Sequence, residues 1–294
     1  MASDLPLTRS AWQDRLATLQ GSPDSIPSFF FGHGSPVLAI PSNVADRDPQ
    51  WRSIIKHSGL ESPLANFLRD FGPALLSKYQ PKGILVFSAH WETEGEQLVT
   101  DYGDENPLFM DYYNFDPEVY RLEFSSRGDA TLSRRVVQLF QDAGIRARLS
   151  TKDEARGLDG RGFEGSGLDH GVFVPFRLMF GEASIDGSLS PEGNWALGKA
   201  ITSLREEGIL ILSGGLTTHN LRDRASFVPE TASLPFHRFN DAVASAISVS
   251  DVSGSSELSV QHFVPIYVAA GAGEDGGVHV LSGLYGSQAV AFGV

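Results

Sequence analysis

Histidine is the residue type with most chemistry to offer in this chain. The 294 residues include 8 histidines and no cysteine. His33, His90, His170, His219 and His262 all stand in short Gly-, Ser- or Asn-rich punctuation or at the edge of an apolar run. Three of them follow apolar runs closely, in Phe29-Phe30-Phe31-Gly32-His33-Gly34-Ser35-Pro36, in Ile84-Leu85-Val86-Phe87-Ser88-Ala89-His90-Trp91-Glu92, and in Ile209-Leu210-Ile211-Leu212-Ser213-Gly214-Gly215-Leu216-Thr217-Thr218-His219-Asn220. A buried strand that ends in small residues and then a histidine delivers an imidazole to the rim of a sheet, where α/β proteins place their sites. With no thiolate available, several such imidazoles point to a metal held by nitrogen and oxygen.

A lone histidine at a strand end is more often a satisfied core residue than a ligand, so it is the recurrence that speaks for a site. Around His33 the glycines permit a tight turn and a close backbone approach. Beside His90, Glu92 is either an acceptor that orients an imidazole or a surface carboxylate. At His219, Thr217, Thr218 and Asn220 supply hydrogen-bonding groups or merely shape a turn. His170, between Asp169 and Gly171, is either an imidazole held by Asp169 in a turn or a proton-transfer group working near neutral pH. His262 starts an apolar helix with Pro265 in its first turn. The helix dipole there disfavours the cation and keeps the imidazole in its neutral, ligating form. His57, His237 and His279 have no such context and read as structural or surface residues. Gly271-Ala272-Gly273-Glu274-Asp275-Gly276 fits a dinucleotide-binding pattern, but it follows a helix pattern and opens none, so that reading fails. No G-x-S-x-G elbow occurs.

The elements that must position these histidines alternate between buried-strand runs and amphipathic helices. Strands are expected at 28–31, 83–88, 97–100, 147–150, 208–213 and 278–282. Helices are expected at 64–79 (kinked or broken at Pro73), 130–143, 194–207 and 236–247. Leu132, Val136, Leu139 and Phe140 form an apolar stripe on the second of these, and Gly144 and Gly208 stand where helix ends precede strands. The rhythm predicts a three-layer α/β fold, a mostly parallel or mixed central sheet with helices on both faces. Residues 1–27 form an N-terminal extension in which Trp12, Leu16 and Leu19 have helical spacing behind Thr8 or Ser10. Residues 28–294 are expected to make a single domain. The stretches 154–167, dense in glycine, and 248–259, rich in Ser and Val, carry little pattern.

Composition excludes several classes. Lys and Arg total 23 against 36 Asp and Glu, a formal charge of −13, and no basic run offsets it, so nucleic acid is not an expected partner. No apolar stretch approaches the roughly 18–20 residues of a membrane span, and Met1 to Ser28 shows no secretory pattern. The expectation is a soluble, cytoplasmic protein, which the lack of cysteine suits. Oligomeric state is not legible.

Five motifs taken together resemble one family. Gly32-His33-Gly34-Ser35-Pro36, Ser88-Ala89-His90-Trp91, Leu168-Asp169-His170-Gly171, Thr218-His219-Asn220-Leu221 and His262-Phe263-Val264-Pro265 occur in the order and approximate spacing of the class III extradiol ring-cleavage dioxygenases. The similarity is to the single-chain branch like 4,5-DOPA dioxygenase, and Asp111-Tyr112-Tyr113-Asn114-Phe115 also looks like that branch. The resemblance covers roughly residues 28–290. It implies an enzyme that opens a catecholic ring by inserting both atoms of O₂. It implies His33, His90 and His262 as metal ligands, with Fe(II) needed for activity and Zn(II) able to occupy the same nitrogens. It implies His219 as the catalytic base or an additional ligand, and His170 as an acid/base imidazole facing the oxygen pocket. One departure stands out: Arg156-Gly157-Leu158-Asp159 is separated by 160–167 from the second Leu168-Asp169 that leads into His170, as if eight to ten residues were inserted beside the site. Two other functions fit the residues: a metal-binding module without enzymatic activity, and a zinc-dependent hydrolase using His33, His90, His262 and a metal-bound water.

Overall fold

Phe29, Phe30 and Phe31 are buried completely, and the strand they form is covered on both sides. In the computed structural model the described residues are 5–21, 23–40, 52–91, 93, 95–154, 165–181, 183–184, 186–187, 194–220, 222–248 and 263–294. Their strands are β1 (Ser28–Gly32), β2 (Gly83–Ser88), β3 (Gln97–Asp101), β4 (Ser126–Arg127), β5 (Ala147–Thr151), β6 (Ala183–Ser184), β7 (Asp186–Gly187), β8 (Ile209–Gly215), β9 (Val278–Ser282) and β10 (Ala289–Phe292). Six of them form one sheet in the order β7-β2-β8-β1-β10-β9. The first four run parallel, β10 runs antiparallel to β1, and β9 antiparallel to β10. The sheet is therefore mixed. β3 and β5 form a separate parallel pair, as do β4 and β6.

The period-2 alternation of side chains sorts the core into two faces. Phe29 and Phe31 of β1, Ile84 and Val86 of β2, and Leu210 and Leu212 of β8 pack with residues of the helices Arg9–Thr18, Pro63–Tyr79 and His170–Met179. Leu85, Phe87 and Ile211 face the other way, toward Leu132, Val136 and Phe140 of the helix Ala130–Asp142 and toward Leu197 and Leu204. Phe30, Val290 and Phe292 on that same side meet Val243 and Ile247 of the helix Leu234–Ser248 and Ile266, Ala269 and Ala270 of the helix Ile266–Ala272. Helices thus cover both faces, the three-layer α/β arrangement that the rhythm of the sequence implies.

Within the N-terminal extension, Thr8 caps a helix by accepting from the Ala11 N–H. Trp12 and Leu16 are buried, and Asp70 accepts from Arg9, Trp12 and Gln13 at 2.8–3.1 Å, so this helix docks on the body. The helix Pro63–Tyr79 runs unbroken through Pro73. The helix expected over 194–207 is instead two, Asn194–Ala200 and Ser203–Glu206. Between them the Ile201 N–H is shared between the carbonyls of Leu197 and Gly198, and the Thr202 hydroxyl bonds back to the Gly198 carbonyl at 3.3 Å. Two β-branched residues in succession and a back-bonding threonine tighten the turn there. The apolar helix starts at Ile266, later than expected, with Pro265 at its cap. No helix of the described residues is long and apolar enough to cross a membrane.

Candidate active site

The three strands that precede predicted site histidines are adjacent and in step. Ser88 of β2 pairs with Gly214 of β8, and Gly32 of β1 pairs with Gly215 of β8. Their C-terminal ends share one edge, so His33, His90 and the segment leading to His219 leave the sheet together. The His33 N–H donates to the Gly215 carbonyl at 3.1 Å, which prolongs the strand by one bond. Gly34 follows with φ +74°, a left-handed turn that a side chain would strain. Ser35 then caps a short 3-10 turn, Pro36–Ala39.

His33 and His90 stand with ring centroids 4.6 Å apart, and His90 stacks on His170 at 4.1 Å. His33 and His170 are 6.2 Å apart. All three are buried. Burial, then the nearby His170 and His219, push His33 down to about 3, while Asp169 opposes the shift. The His33 imidazole is therefore neutral at physiological pH and keeps a lone pair to offer.

Two buried aspartates orient two of these rings. Asp169 caps the helix His170–Met179 by accepting from the Gly171 N–H at 2.9 Å. The same oxygen accepts from the Ser88 hydroxyl at 2.8 Å and faces His90 Nδ1 at 3.2 Å. An ionised carboxylate only accepts, so Nδ1 carries a proton, and Nε2 is the nitrogen left to ligate when the ring is neutral. Asp111 does the same for His170, at 2.7 Å from Nδ1 and 2.9 Å from the backbone N–H. By sequence proximity Asp169 would hold its neighbour His170; the helix start turns that carboxylate away, toward His90, and a residue 59 positions upstream takes its place.

Gly171 makes this stacking possible. A Cβ on it would come within 2.7 Å of His90 Cε1 and closer still to Nδ1. Opposite, Thr217 donates to Gln288 at 2.6 Å, and Asn240 accepts from Gln288 and from the Gly286 N–H. This network fastens the segment after β8, where half-buried His219 meets Phe227 edge-on at 5.9 Å.

A cavity of about 870 Å³ opens on these groups. His90, Asp111, His170 and His219 line it, together with Tyr112, Tyr113, Asn114 and Phe115 from the segment after Asp111. Burial and the Asp111 charge push the Tyr112 phenol up, so it stays protonated and donates to the Val119 carbonyl at 2.8 Å. His57, read from sequence as structural or surface, also lines the cavity, as does Tyr285. The sequence carries no local mark for either; the fold alone brings them in. His237 lies against Tyr285 at 5.4 Å, and His279 is exposed on β9.

Of the predicted site residues, His33, His90 and His170 come together, and His219 lines the same cavity. His262 and Glu92 lie outside the described residues, as does most of the 160–167 segment. Among the described residues, His90, Asp111 and His170 form a group whose ligating atoms lie within 4.8 Å of one another and which could hold a metal ion. Within this group Asp111 Oδ1 accepts both hydrogen bonds from His170 and so orients that ring.

The family model described as the catalytic LigB subunit of aromatic ring-opening dioxygenase matches residues 27–293. A 4,5-DOPA dioxygenase extradiol-like protein of Schizosaccharomyces pombe is 34% identical, over 96% of this chain and 97% of its own. A 4,5-DOPA dioxygenase extradiol of Beta vulgaris is 31% identical over 68% of this chain and 65% of its own. An uncharacterized Escherichia coli protein of known crystal structure, JW3007, is 19% identical and superposes with a TM-score of 0.55 over 91% of this chain and 99% of its own, which supports the fold alone. With its family-wide match, its full-length relative and its strand-end histidines, the chain belongs to the class III extradiol, LigB-type, family of aromatic ring-opening dioxygenases.

Proposed function

We propose that this protein is a metal-dependent extradiol dioxygenase acting on a catecholic substrate, with residues 28–294 as one catalytic domain. The observation that carries the reading is the buried trio His33, His90 and His170, of which His90 and His170 line the cavity, with His33 held neutral and His90 and His170 each aimed by an aspartate.

The residues fit a divalent metal. Imidazole nitrogens on one ion lie at about 2.0–2.1 Å from it, so the rings of two ligands must nearly touch, as those of His33 and His90 do at 4.6 Å. The neutrality of His33 and the Asp169 brace on His90 Nδ1 are what ligation requires. His33, His90 and His262 would hold the ion. Fe(II) there would supply redox chemistry with O₂ that zinc, though able to occupy the same nitrogens, does not.

The chain's own residues supply the proton handling. His219, on the wall of the cavity, takes a proton from a catechol hydroxyl. His170, which lines the cavity with its Nδ1 held by Asp111, has Nε2 left to carry the proton needed as the O–O bond breaks. Tyr112 to Phe115 and Leu216 give the ring an enclosing wall. In the balanced reaction the bond beside the two hydroxylated carbons breaks, both oxygen atoms enter the product, and the catechol itself is the reductant.

An oxygen electrode and an absorbance scan across a panel of catechols test this. The expected result is Fe(II)-dependent uptake of one O₂ per catechol with a yellow, ring-opened product. Amide or ester turnover with zinc would replace the reading by a hydrolase, and neither activity by a metal-binding module.

A further inference from the structure

The proposed base, His219, stands on a segment that runs along the cavity wall from Thr217 to Phe227, and one distant loop grips that segment at both ends. The loop joins β9 to β10 over residues 283–288. At the near end, the Thr217 N–H donates to the Gly286 carbonyl at 3.1 Å. Gly286 has φ +70°, and a Cβ on it would come within 3.3 Å of the Thr218 Cβ, so the loop backbone lies directly on Thr218. At the far end, the Tyr285 phenol donates to the Ser226 carbonyl at 3.0 Å. Ser226 is fully buried and belongs to the 3-10 turn Arg224–Phe227, whose last residue meets the His219 ring edge-on at 5.9 Å. Thr218, His219, Phe227 and Tyr285 all line the cavity.

The loop is itself anchored. Asn240 of the helix Leu234–Ser248 accepts from the Gly286 N–H at 3.0 Å and from Gln288 at 2.7 Å. The rings of His57 and His237 pack against the Tyr285 ring at 6.4 and 5.4 Å. Burial, with the nearby Asp223 charge, pushes the phenol up against the opposing pull of Thr218, so the group stays protonated and remains a donor. A buried carbonyl that loses its donor is costly, so the Tyr285 hydroxyl fixes where Ser226, and with it Phe227, can sit. We propose that Tyr285 is a positioning residue for His219: its hydroxyl clasps the Ser226 turn and, through Phe227, holds the imidazole in place for proton abstraction from a catechol. The proposal rests on the reading of His219 as the base. Misplacing a catalytic group by about 1 Å can cost about 10²-fold in rate, so a hydroxyl that acts on no reacting atom still enters kcat.

The test compares wild type, Tyr285→Phe, His219→Ala and the double variant as full-length, Fe(II)-loaded proteins, by steady-state kinetics on a cleaved catechol, metal analysis and amide hydrogen exchange. Tyr285→Phe keeps the ring and removes only the hydroxyl. It should lower kcat about tenfold, with KM and metal content little changed, and protection from exchange should fall between Thr218 and Phe227. In the His219→Ala background the same substitution should change kcat by less than about twofold, because the group through which the hydroxyl acts is gone. An unchanged kcat, an equal loss in both backgrounds, a rise in KM alone, or loss of metal from Tyr285→Phe would overturn the positioning role while leaving ring cleavage standing. Failure of the dioxygenase reading looks different. If wild type opens no catechol ring, loss of protection confined to 218–227 in Tyr285→Phe would uphold the clasp on that segment, and unchanged protection would overturn the clasp as well.

Discussion

One carboxylate oxygen of Asp111 accepts from His170 twice, from the ring Nδ1 at 2.7 Å and from the backbone N–H at 2.9 Å. Both residues are buried, and His170 stacks at 4.1 Å on His90. One contact fixes where the helix begins and the other fixes which nitrogen its first ring presents to the cavity. The segment that supplies Asp111 continues directly into the Tyr112–Phe115 wall, so cavity wall and imidazole are set by the same segment.

Asp111→Asn keeps an oxygen for both donors but removes the charge that fixes the Nδ1 proton. Its kcat should fall by about 10–100-fold, the range typical when the partner of a working histidine is changed, with KM and metal content little altered. Asp111→Ala should fall further. Steady-state kinetics beside elemental analysis check this, and an Ala variant with unimpaired kcat would remove Asp111 from the account.

Gly171→Ala separates stability from function. The position lies in a helix, where alanine is favoured over glycine by about 1 kcal/mol, yet its Cβ would strike the His90 ring. His90 must move or the helix must shift, and metal content should drop several-fold while the protein stays folded. Circular dichroism and metal analysis on one sample decide it. Full metal occupancy would show that the His90 position is more tolerant than its packing implies.

His219→Ala should lose about 10²–10⁴ in rate and keep most of its metal if His219 is the base. His170→Ala should behave likewise, and His90→Ala, the ligand control, should lose metal and activity together. Metal loss in His219→Ala as severe as in His90→Ala would place His219 on the ion.

Arg205 ties together chain segments that are distant in sequence. Its buried guanidinium donates to the carbonyls of Ile26, Ala272 and Gly293 at 2.7–3.0 Å and to Asp275 at 2.7 Å. Removing it leaves three carbonyls without this donor, so Arg205→Ala should cost about 1–3 kcal/mol in chemical denaturation, the range for buried polar groups left without a partner. Its bond to Asp275 holds that carboxyl below the usual carboxylate range. A depressed folded pKa contributes stability that is present above the unfolded value near 3.9 and is lost as pH falls through the folded one. Wild type should therefore lose stability below about pH 4 more steeply than Arg205→Ala, and parallel acid profiles would contradict the pairing.

Legibility from sequence follows the locality of the forces. The apolar runs of β1, β2 and β8 are buried on both faces wherever they pair, so strands and strand-end histidines could be read directly. The short β10 carries only Ala289-Val290-Ala291-Phe292 and exists through its antiparallel pairing with β1, a contact 260 residues away that no local pattern announces. The helix His170–Met179 was masked by an apolar run with Pro175 inside it. At the site, His33, His90, His170 and His219 were legible because each follows its own local punctuation. Asp111's role and the place of His57 depend on tertiary packing across tens of residues.

The most direct test of the central claim is reconstitution of metal-free protein, under argon, with Fe(II) or with Zn(II), followed by oxygen uptake on adding a cleavable catechol. The account predicts one O₂ consumed per ring opened with Fe(II) and none with Zn(II). Ring cleavage restored by zinc alone, or catechol consumed with no uptake of oxygen, would contradict it.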